Sequence, residues 1–170
     1  VPVPLNHYGS FHPKAVLLSS EQKASLLVGS GNLSFAGWRE NGETWIRYDS
    51  DNDSEKAVFP AFYDYLKNII NLIPLNNNIN RSIEQIYASK WAKDLPSPDM
   101  LIGRIQDGTS LIDEMFRKID LSDLKQITIC TPFFDPEAEA IRELFTRAGK
   151  HPTRILVQNK RTNLSLKAIR

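Results

Sequence analysis

Four polar residues stand at spacings that would suit a phosphate group. His12 and Lys14 are two apart in the apolar stretch FHPKAVLL, and side chains two apart on a strand point to the same face. The next apolar run ends in GSGN, where Ser30 and Asn32 are donors and the glycines let backbone N–H groups approach a ligand. A phosphate ester needs positive charge and donors from several directions. The pattern therefore predicts an anion site at one end of two neighbouring strands.

Short strands are predicted to position this cluster. KAVLLS and SLLVGS are apolar runs joined by SEQK, which is typical of a hairpin of buried strands. ETWIRYDS alternates apolar and polar residues and predicts a third strand. GNLSFAGWRENG, residues 31–42, sustains neither the strand nor the helix period, so we expect a loop at the strand ends.

Two helices are predicted after the third strand. From Ser54 onward apolar residues recur three or four apart, as on the buried face of a helix, and DNDS before them offers capping side chains. Pro60 fits this helix only if the helix begins near it. NNNINRSIEQIYASKWAKDL predicts the second helix, and the prolines of PSPD at residues 96–99 predict a domain boundary.

Beyond residue 99 the chain alternates strands and helices. MLIGRI, QITICTPFF and TRILVQN predict strands, whereas SLIDEMFRKI and PEAEAIRELFTRAG predict helices, the latter with Pro136 in its first turn. Such alternation is typical of βαβ units and a largely parallel sheet covered on both faces. The predicted fold class is α/β, with a mixed, largely parallel sheet flanked by helices.

Composition sets further bounds. The 170 residues suffice for one core or two partial domains, and a net charge of +1 gives no global signal for nucleic acid. The single cysteine, Cys130, excludes an internal disulfide and predicts a buried thiol in a reducing compartment. No run approaches the roughly 20 apolar residues of a membrane span. The opening VPVPLNHYG lacks an initiator methionine and a signal-peptide layout, which predicts a piece of a longer protein.

A basic stretch closes the sequence. Residues 147–170 contain no acid, and they form either a solvated face or a face toward phosphate. Its seven basic residues are Arg147, Lys150, Arg154, Lys160, Arg161, Lys167 and Arg170.

The motifs HPK and GSGN resemble the HxK and GSxN signature of the phospholipase D superfamily, and NGE at residues 41–43 resembles the Asn-x-Glu of its nuclease-like members. The resemblance implies a phospholipase D-like αβα sandwich and a metal-independent phosphodiesterase without cofactors. His12 would be the nucleophile or general acid. The implied supporting roles are phosphate binding by Lys14, Ser30 and Asn32, and orientation of the histidine ring from behind by Glu43 with Asn41.

Two departures from the family pattern favour its nuclease-like branch. The full motif has an aspartate five residues after the lysine, where this chain has Ser19. The distance from Lys14 to Gly29 is three residues longer than in the phospholipase form. Both departures resemble nuclease-like members, so they point away from lipid hydrolysis.

The superfamily builds one site from two such motifs, in one chain of two halves or across a homodimer. Residues 1–95 resemble the end of a first half and carry the motif, and residues 99–170 resemble the start of a second half. The second HxK is therefore expected after Arg170 in a longer chain or from a homodimer partner. His151, in HPT, lacks the lysine and is interpreted as a loop residue, whereas His7 receives no role.

The chemistry explains why two histidines are needed. Displacement through a phosphohistidine requires an unprotonated imidazole to attack and a protonated one to donate to the leaving oxygen. The ordinary histidine pKa of about 6.5 allows both forms near neutral pH, and a carboxylate such as Glu43 can fix the ring. His12 alone would be a poor catalyst.

Three function classes remain open. The first is a nuclease that hydrolyses DNA or RNA in a bacterial or archaeal cytoplasm, favoured by the motif spacing and the basic stretch. The second is a phospholipid hydrolase or transferase, which is disfavoured because we expect few exposed apolar residues near the motif. The third is a non-catalytic module that binds nucleic acid within a helicase-linked or defence assembly.

Overall fold

The computed structural model describes residues 12–72, 77–100, 110–131, 133–157 and 162, and these form a mixed α/β protein. The chain divides into two units, Val1–Gly108 and Thr109–Arg170. The sequence placed the boundary earlier, at residues 96–99. In the structure Asp99 N donates to Ala57 O at 2.9 Å and Met100 packs against the core of the first unit, so this stretch is held there.

The first unit contains an antiparallel sheet of three strands in the order β1-β2-β3. These are β1 (Ala15–Ser19), β2 (Ala24–Gly29) and β3 (Trp45–Asp49). Ser19 lies opposite Ala24, and the short connection between them permits only a hairpin because parallel neighbours need a long crossover. The predicted hairpin and third strand are confirmed.

Two helices follow, α1 (Val58–Leu72) and α2 (Asn77–Tyr87). Pro60 lies in the first turn of α1, where its missing N–H removes no intrahelical bond, which is one of the two alternatives that the sequence left open. The helix begins later than the predicted start at Ser54. The reason is a local turn, since Ser54 N donates to the side chain of Asn52 at 3.2 Å and thereby favours turn geometry over helix.

The core of the first unit lies between the sheet and these helices. Leu26 and Phe59 are both 0% exposed, and the Phe59 ring meets the Trp91 ring edge-on with centroids 5.3 Å apart. The phenol of Tyr87 donates to Phe59 O at 3.0 Å, which ties α2 to α1. The indole of Trp91 donates to Ser19 Oγ at 3.0 Å. The C-terminal end of β1 is therefore fixed to the core.

The second unit contains a βαβ unit, as predicted. Its elements are α3 (Leu111–Lys118), β4 (Ile127–Cys130), α4 (Glu139–Ala148) and β5 (Thr153–Leu156). β4 and β5 pair in parallel, and α4 connects them. The predicted strand MLIGRI lies outside the described residues.

Side chains accept hydrogen bonds from N–H groups in the first turn of both described helices of the second unit. Ser110 caps α3, because its Oγ accepts from Asp113 N at 3.1 Å and the Asp113 carboxylate accepts from the Ser110 backbone in return. α4 begins at Glu139, whose N–H donates to the Asp135 carboxylate at 2.6 Å. Pro136 was predicted in the first turn of this helix and instead lies in the turn that precedes it.

The fold was predicted to contain a mixed, largely parallel sheet. The described strands form one parallel pair, β4 and β5, and the antiparallel sheet that the predicted hairpin implies in the first unit. There the described strands are joined by a tight hairpin and by the irregular segment 30–44, and neither connection contains the crossover helix that a parallel pair needs. Within the described ranges no helix is both long and apolar enough to cross a membrane.

Cys130 was predicted to be buried and is exposed. Side chains on β4 alternate, so Ile127 and Ile129 are half-buried whereas Thr128 and Cys130 face the other way and are exposed. The apolar sequence ITIC did not distinguish these two faces, because isoleucine and cysteine are both common in cores. The thiol lies on the exposed face.

We predict that Phe59→Ala destabilises the first unit by about 3–5 kcal/mol, because it removes a fully buried ring and leaves a cavity. The free energy of unfolding is measured in urea by tryptophan fluorescence, since Trp38, Trp45 and Trp91 all belong to this unit. Phe35→Ala is the matched control, because the Phe35 ring is exposed and its loss costs less than about 1 kcal/mol. Equal effects of the two variants would contradict this core.

Candidate active site

His12 and Lys14 lie in contact immediately before β1. Lys14 Nζ donates to the backbone carbonyl of His12 at 3.1 Å, lies 3.1 Å from Nε2 of the imidazole and also contacts Nδ1. His12 is exposed and Lys14 is half-buried. The ammonium and imidazole groups therefore share one position at the end of the sheet, with the histidine open to solvent.

Backbone pairing brings this pair to the GSGN motif. Gly29 N donates to Lys14 O at 3.1 Å, which extends the β1–β2 ladder by one residue beyond Ala15. Ser30 N donates to Thr44 O at 3.0 Å and fastens the motif to the segment before β3. The two motifs are thus adjacent because of the hairpin register.

His12, Lys14 and Asn32 line one cleft of about 270 Å³. Asn32 follows the end of β2 and is exposed, and its carboxamide forms no hydrogen bond with another residue of the described ranges. An imidazole, an ammonium group and a carboxamide therefore border the same space. The remaining lining residues are Pro13, Ala15, Val16, Gly31, Leu33 and Trp45.

Glu43 lies in a hydrogen-bond network beside the cleft. Ser30 Oγ donates to Glu43 Oε2 at 2.5 Å, and Asn41 Nδ2 donates to Oε1 at 3.2 Å. Ser30 Oγ also accepts from Thr44 N at 3.1 Å. The hydrogen bonds from Ser30 and Asn41, together with the positive charge of Lys14, hold the pKa of the Glu43 carboxyl below its usual value. Glu43 is therefore a fixed anion near neutral pH.

The predicted site residues thus fall into two groups. His12, Lys14 and Asn32 line the cleft, whereas Ser30, with Asn41, surrounds Glu43. In the described ranges neither carboxylate oxygen of Glu43 accepts a hydrogen bond from His12, the ring it was expected to orient. The hydroxyl of Ser30 is engaged with that carboxylate, so it supports the network and does not line the cleft.

Trp45 lines the cleft and was not among the sequence-predicted site residues. It lies opposite Gly29 in the β2–β3 register, and a Cβ on Gly29 would lie 2.5 Å from its ring. A Cβ on Gly31 would lie 2.9 Å from Trp45 Nε1. The two glycines therefore make room for the indole, although the sequence predicts that they let backbone N–H groups approach a ligand. A signal was present, because aromatic side chains are known to cover glycines on neighbouring strands of sheets.

The segment predicted as a loop contains a short π-helical turn, Ala36–Glu40. Ser34 begins it, since Ser34 Oγ accepts from Gly37 N at 3.1 Å and Ser34 O accepts from Trp38 N at 3.1 Å. Gly37 is buried against Asn32, and any Cβ there would collide with the Asn32 carbonyl. The turn thus packs directly on the backbone of a cleft residue.

The expectation of few exposed apolar residues near the motif is wrong. Leu33 is 83% exposed, Phe35 is 65% exposed and Trp38 is 49% exposed, and all three lie within six residues after the GSGN motif. The reason is that segment 31–42 was predicted as a polar loop, and its short turn instead presents these side chains to solvent. The cleft therefore has an apolar neighbour.

Ser19 stands where the family motif has aspartate, and its hydroxyl accepts from the Trp91 indole at the end of β1 remote from Lys14. His151 belongs to the second unit, two residues before β5 begins, in a non-helical segment as predicted. His7 lies outside the described residues. Within the described ranges no group of three or more His, Cys, Asp or Glu side chains is arranged to hold a metal ion.

The basic stretch is only partly described. The guanidinium of Arg147 contacts the carboxylate of Asp113 and donates to Glu143 at 2.5 Å, so its charge is balanced. Hydrogen bonds from Ser110 and Arg147 lower the pKa of Asp113 to about 2. Lys150 and Arg154 are exposed. The other four basic residues of the stretch lie outside the described ranges, and its contact with phosphate stays a prediction.

Comparisons with protein-family models, with curated proteins and with solved structures found no match to this chain. The resemblance to a family therefore rests on the motifs, and the chemistry rests on the geometry described above.

We predict that Gly37→Ala destabilises the first unit by about 1–3 kcal/mol, because the new Cβ must push Asn32 aside. Gly42→Ala is the matched control, since a Cβ there meets nothing within 4 Å and its effect should stay within about 0.5 kcal/mol. Urea unfolding measures stability, and the Asn32 amide shift in an NMR spectrum reports displacement. A larger effect at Gly42 would refute the packing.

We predict that Ser30→Ala raises the pKa of Glu43 toward its usual value, because Ser30 supplies the strongest of its hydrogen bonds. Asn41→Ala, which removes the weaker bond, should raise it less. Since the folded pKa lies below the unfolded one, the network stabilises the fold above the ordinary glutamate pKa and loses this effect as the pH falls through the lowered value. Carboxyl ¹³C titration by NMR measures both shifts, and the reverse order of the two variants would contradict the network.

Proposed function

We propose that this chain is part of a metal-independent phosphodiesterase of the phospholipase D type, acting as a nuclease on DNA or RNA. The observation that carries the proposal is the shared cleft of His12, Lys14 and Asn32. A nucleophile, a cation and an amide donor on one small cavity are the groups that displacement at phosphorus requires.

Each cleft residue takes a separate part in the proposed reaction. Lys14 donates to a non-bridging phosphate oxygen and offsets its charge, and the Asn32 carboxamide donates to another. Both groups can act on phosphate bound next to His12, because Lys14 Nζ already lies against the imidazole. Binding therefore places phosphorus beside the nucleophile, which supplies much of the rate enhancement.

The chemical steps balance without a metal. An unprotonated nitrogen of His12 attacks phosphorus, a P–N bond forms and the bond from phosphorus to the leaving oxygen breaks. A second, protonated histidine donates its proton to that oxygen. The same histidine, now neutral, takes a proton from water as the water oxygen attacks phosphorus and the P–N bond breaks. His12 is thereby regenerated and a phosphomonoester is released.

Glu43 is proposed as a positioning residue. Its carboxylate is held by Ser30 and Asn41, and its negative charge interacts with Lys14. This attraction restrains the lysine side chain at the cleft, and within the described ranges no hydrogen bond joins the carboxylate to the ammonium group. Loss of the carboxylate would therefore weaken phosphate binding more than it slows nucleophilic attack.

The proposed activity requires a phospholipase D-like fold and a second histidine. The antiparallel hairpin with its helices, followed by a βαβ unit, supports two phospholipase D-like αβα halves, of which the described units are parts. The second HxK then comes from the remainder of a longer chain or from a homodimer partner. The proposed compartment is the cytoplasm of a prokaryote.

A phospholipid substrate is the second candidate, because Leu33, Phe35 and Trp38 are exposed beside the cleft. The same histidine chemistry would then release a headgroup from vesicles. Product analysis with oligonucleotides and with phospholipid vesicles distinguishes the two substrates.

We predict that the protein cleaves oligonucleotides in excess EDTA and that His12→Ala lowers the rate at least about 10³-fold, because the nucleophile is lost. The matched control is His151→Ala, which replaces a histidine of the second unit and should retain activity. Reactions with end-labelled substrate that are quenched in alkaline detergent should trap an alkali-stable, acid-labile phosphoprotein in the wild type.

Several results would refute the proposed activity. Cleavage that requires Mg²⁺, or that survives in His12→Ala, excludes attack by this imidazole. Headgroup release from vesicles without oligonucleotide cleavage would transfer the same chemistry to phospholipids.

A further inference from the structure

We propose that Phe35, Trp38 and Arg39 form a stacking platform for unpaired bases, so that the substrate class is single-stranded nucleic acid. The inference deepens the proposed function and rests on it, because the cleft must hold the phosphodiester next to the stacked base. The platform is defined by these three residues.

The platform presents aromatic surface together with a cation. Phe35 and Trp38 remain largely exposed, and the Arg39 guanidinium lies over the Phe35 ring, 5.2 Å from its centroid. Within the described ranges Arg39 forms no ion pair, so its positive charge is not balanced by a contacting carboxylate. Aromatic side chains usually contribute to protein cores. Two exposed aromatic rings beside an arginine without an ion pair are therefore unusual on a protein surface.

The platform packs against residues that line the cleft. Trp38 packs on Trp45 with ring centroids 5.2 Å apart, and Trp45 itself lines the cleft. Gly37 is buried against Asn32, so the π-helical turn that carries Trp38 sits on the backbone of a cleft residue. A phosphodiester in the cleft therefore has its neighbouring nucleotide beside the platform.

The chemistry of the platform matches an unpaired base. Every base has a π-face that stacks on an aromatic ring, and arginine adds cation–π attraction and a donor for phosphate. In a duplex the bases are already stacked on each other and their faces are covered. Only a single strand, or an unpaired end, can use these rings.

A lipid surface matches the platform less well. Interfacial segments insert their apolar side chains among acyl chains and keep basic residues on the polar side. Here the guanidinium of Arg39 lies over the Phe35 ring, so insertion of that ring would carry a charged group toward the acyl region. If the platform binds nucleic acid instead, the same guanidinium can contact a phosphate group while the rings stack with bases.

The test measures binding without cleavage. In a His12→Ala background with EDTA, anisotropy of a fluorescent oligo(dT) of about 12 nucleotides gives the affinity, and a duplex of equal length gives the comparison. Phe35→Ala and Trp38→Ala should each weaken single-strand binding about tenfold, as expected for one lost stacked base, and change duplex binding little. Trp38→Phe keeps a ring and should retain most of the affinity, which separates stacking from misfolding.

Phe133→Ala is the matched control, because this ring is 75% exposed and belongs to the second unit. Its affinity for the oligonucleotide should equal that of the parent. Unchanged binding in both platform variants, or equal binding of single strand and duplex, overturns the inference. Binding to anionic phosphatidylserine vesicles that both platform variants lose, with oligonucleotide binding intact, overturns it in favour of a lipid surface.

The two proposals fail separately. Single-strand binding that depends on Phe35 and Trp38, in a protein that cleaves nothing, supports the platform and refutes the catalytic proposal. Cleavage by a wild-type protein whose platform variants keep full affinity and full activity supports the catalytic proposal and refutes the platform.

Discussion

The hydrogen bond from Gly29 N to Lys14 O fixes the register on which the candidate site depends. It places the HPK motif beside the GSGN motif, although the two are separated by a complete hairpin. A slip of one residue would turn every side chain of β1 to the opposite face and separate Lys14 from Asn32. The register is protected on the buried face, where Leu26 packs with Phe59. Core packing and site geometry are thus consequences of one pairing.

The site is built outward from this register in two layers of polar groups. His12, Lys14 and Asn32 border the cleft, and Ser30 with Asn41 holds the Glu43 carboxylate beside them. The division has an electrostatic reason. A carboxylate that lined the cleft would repel a phosphate, whereas one held by neutral donors can restrain a lysine without meeting the substrate. This arrangement explains why Ser30 serves the carboxylate and leaves the anion to Lys14 and Asn32.

Segment 31–42 links the cleft to the surface around it. Gly31 and Gly37 permit close packing on Trp45 and on the Asn32 backbone, so the short helical turn lies against a residue of the cleft. That packing leaves Phe35 and Trp38 facing solvent next to the cleft. The two glycines therefore shape the site because they leave room for the Trp45 ring and for the Asn32 backbone. The cation and the amide donor can bind a phosphate, and the two aromatic rings nearby can stack with a base.

The sequence by itself determined the elements and the pairing of His12 with Lys14. Apolar periodicity is a local property, so it predicted the hairpin, the third strand, a helix that contains most of α1, and the βαβ unit of the second unit. Side chains two residues apart on an extended chain point to the same side, so the spacing of His12 and Lys14 alone predicted that they lie together. Only the tertiary structure decided which groups bind Glu43 and which side chain Gly29 and Gly31 make room for. It also decided that Cys130 and Phe35 are exposed. These depend on which distant segments meet and which face of each strand is covered, and residue spacing along the chain does not contain that information.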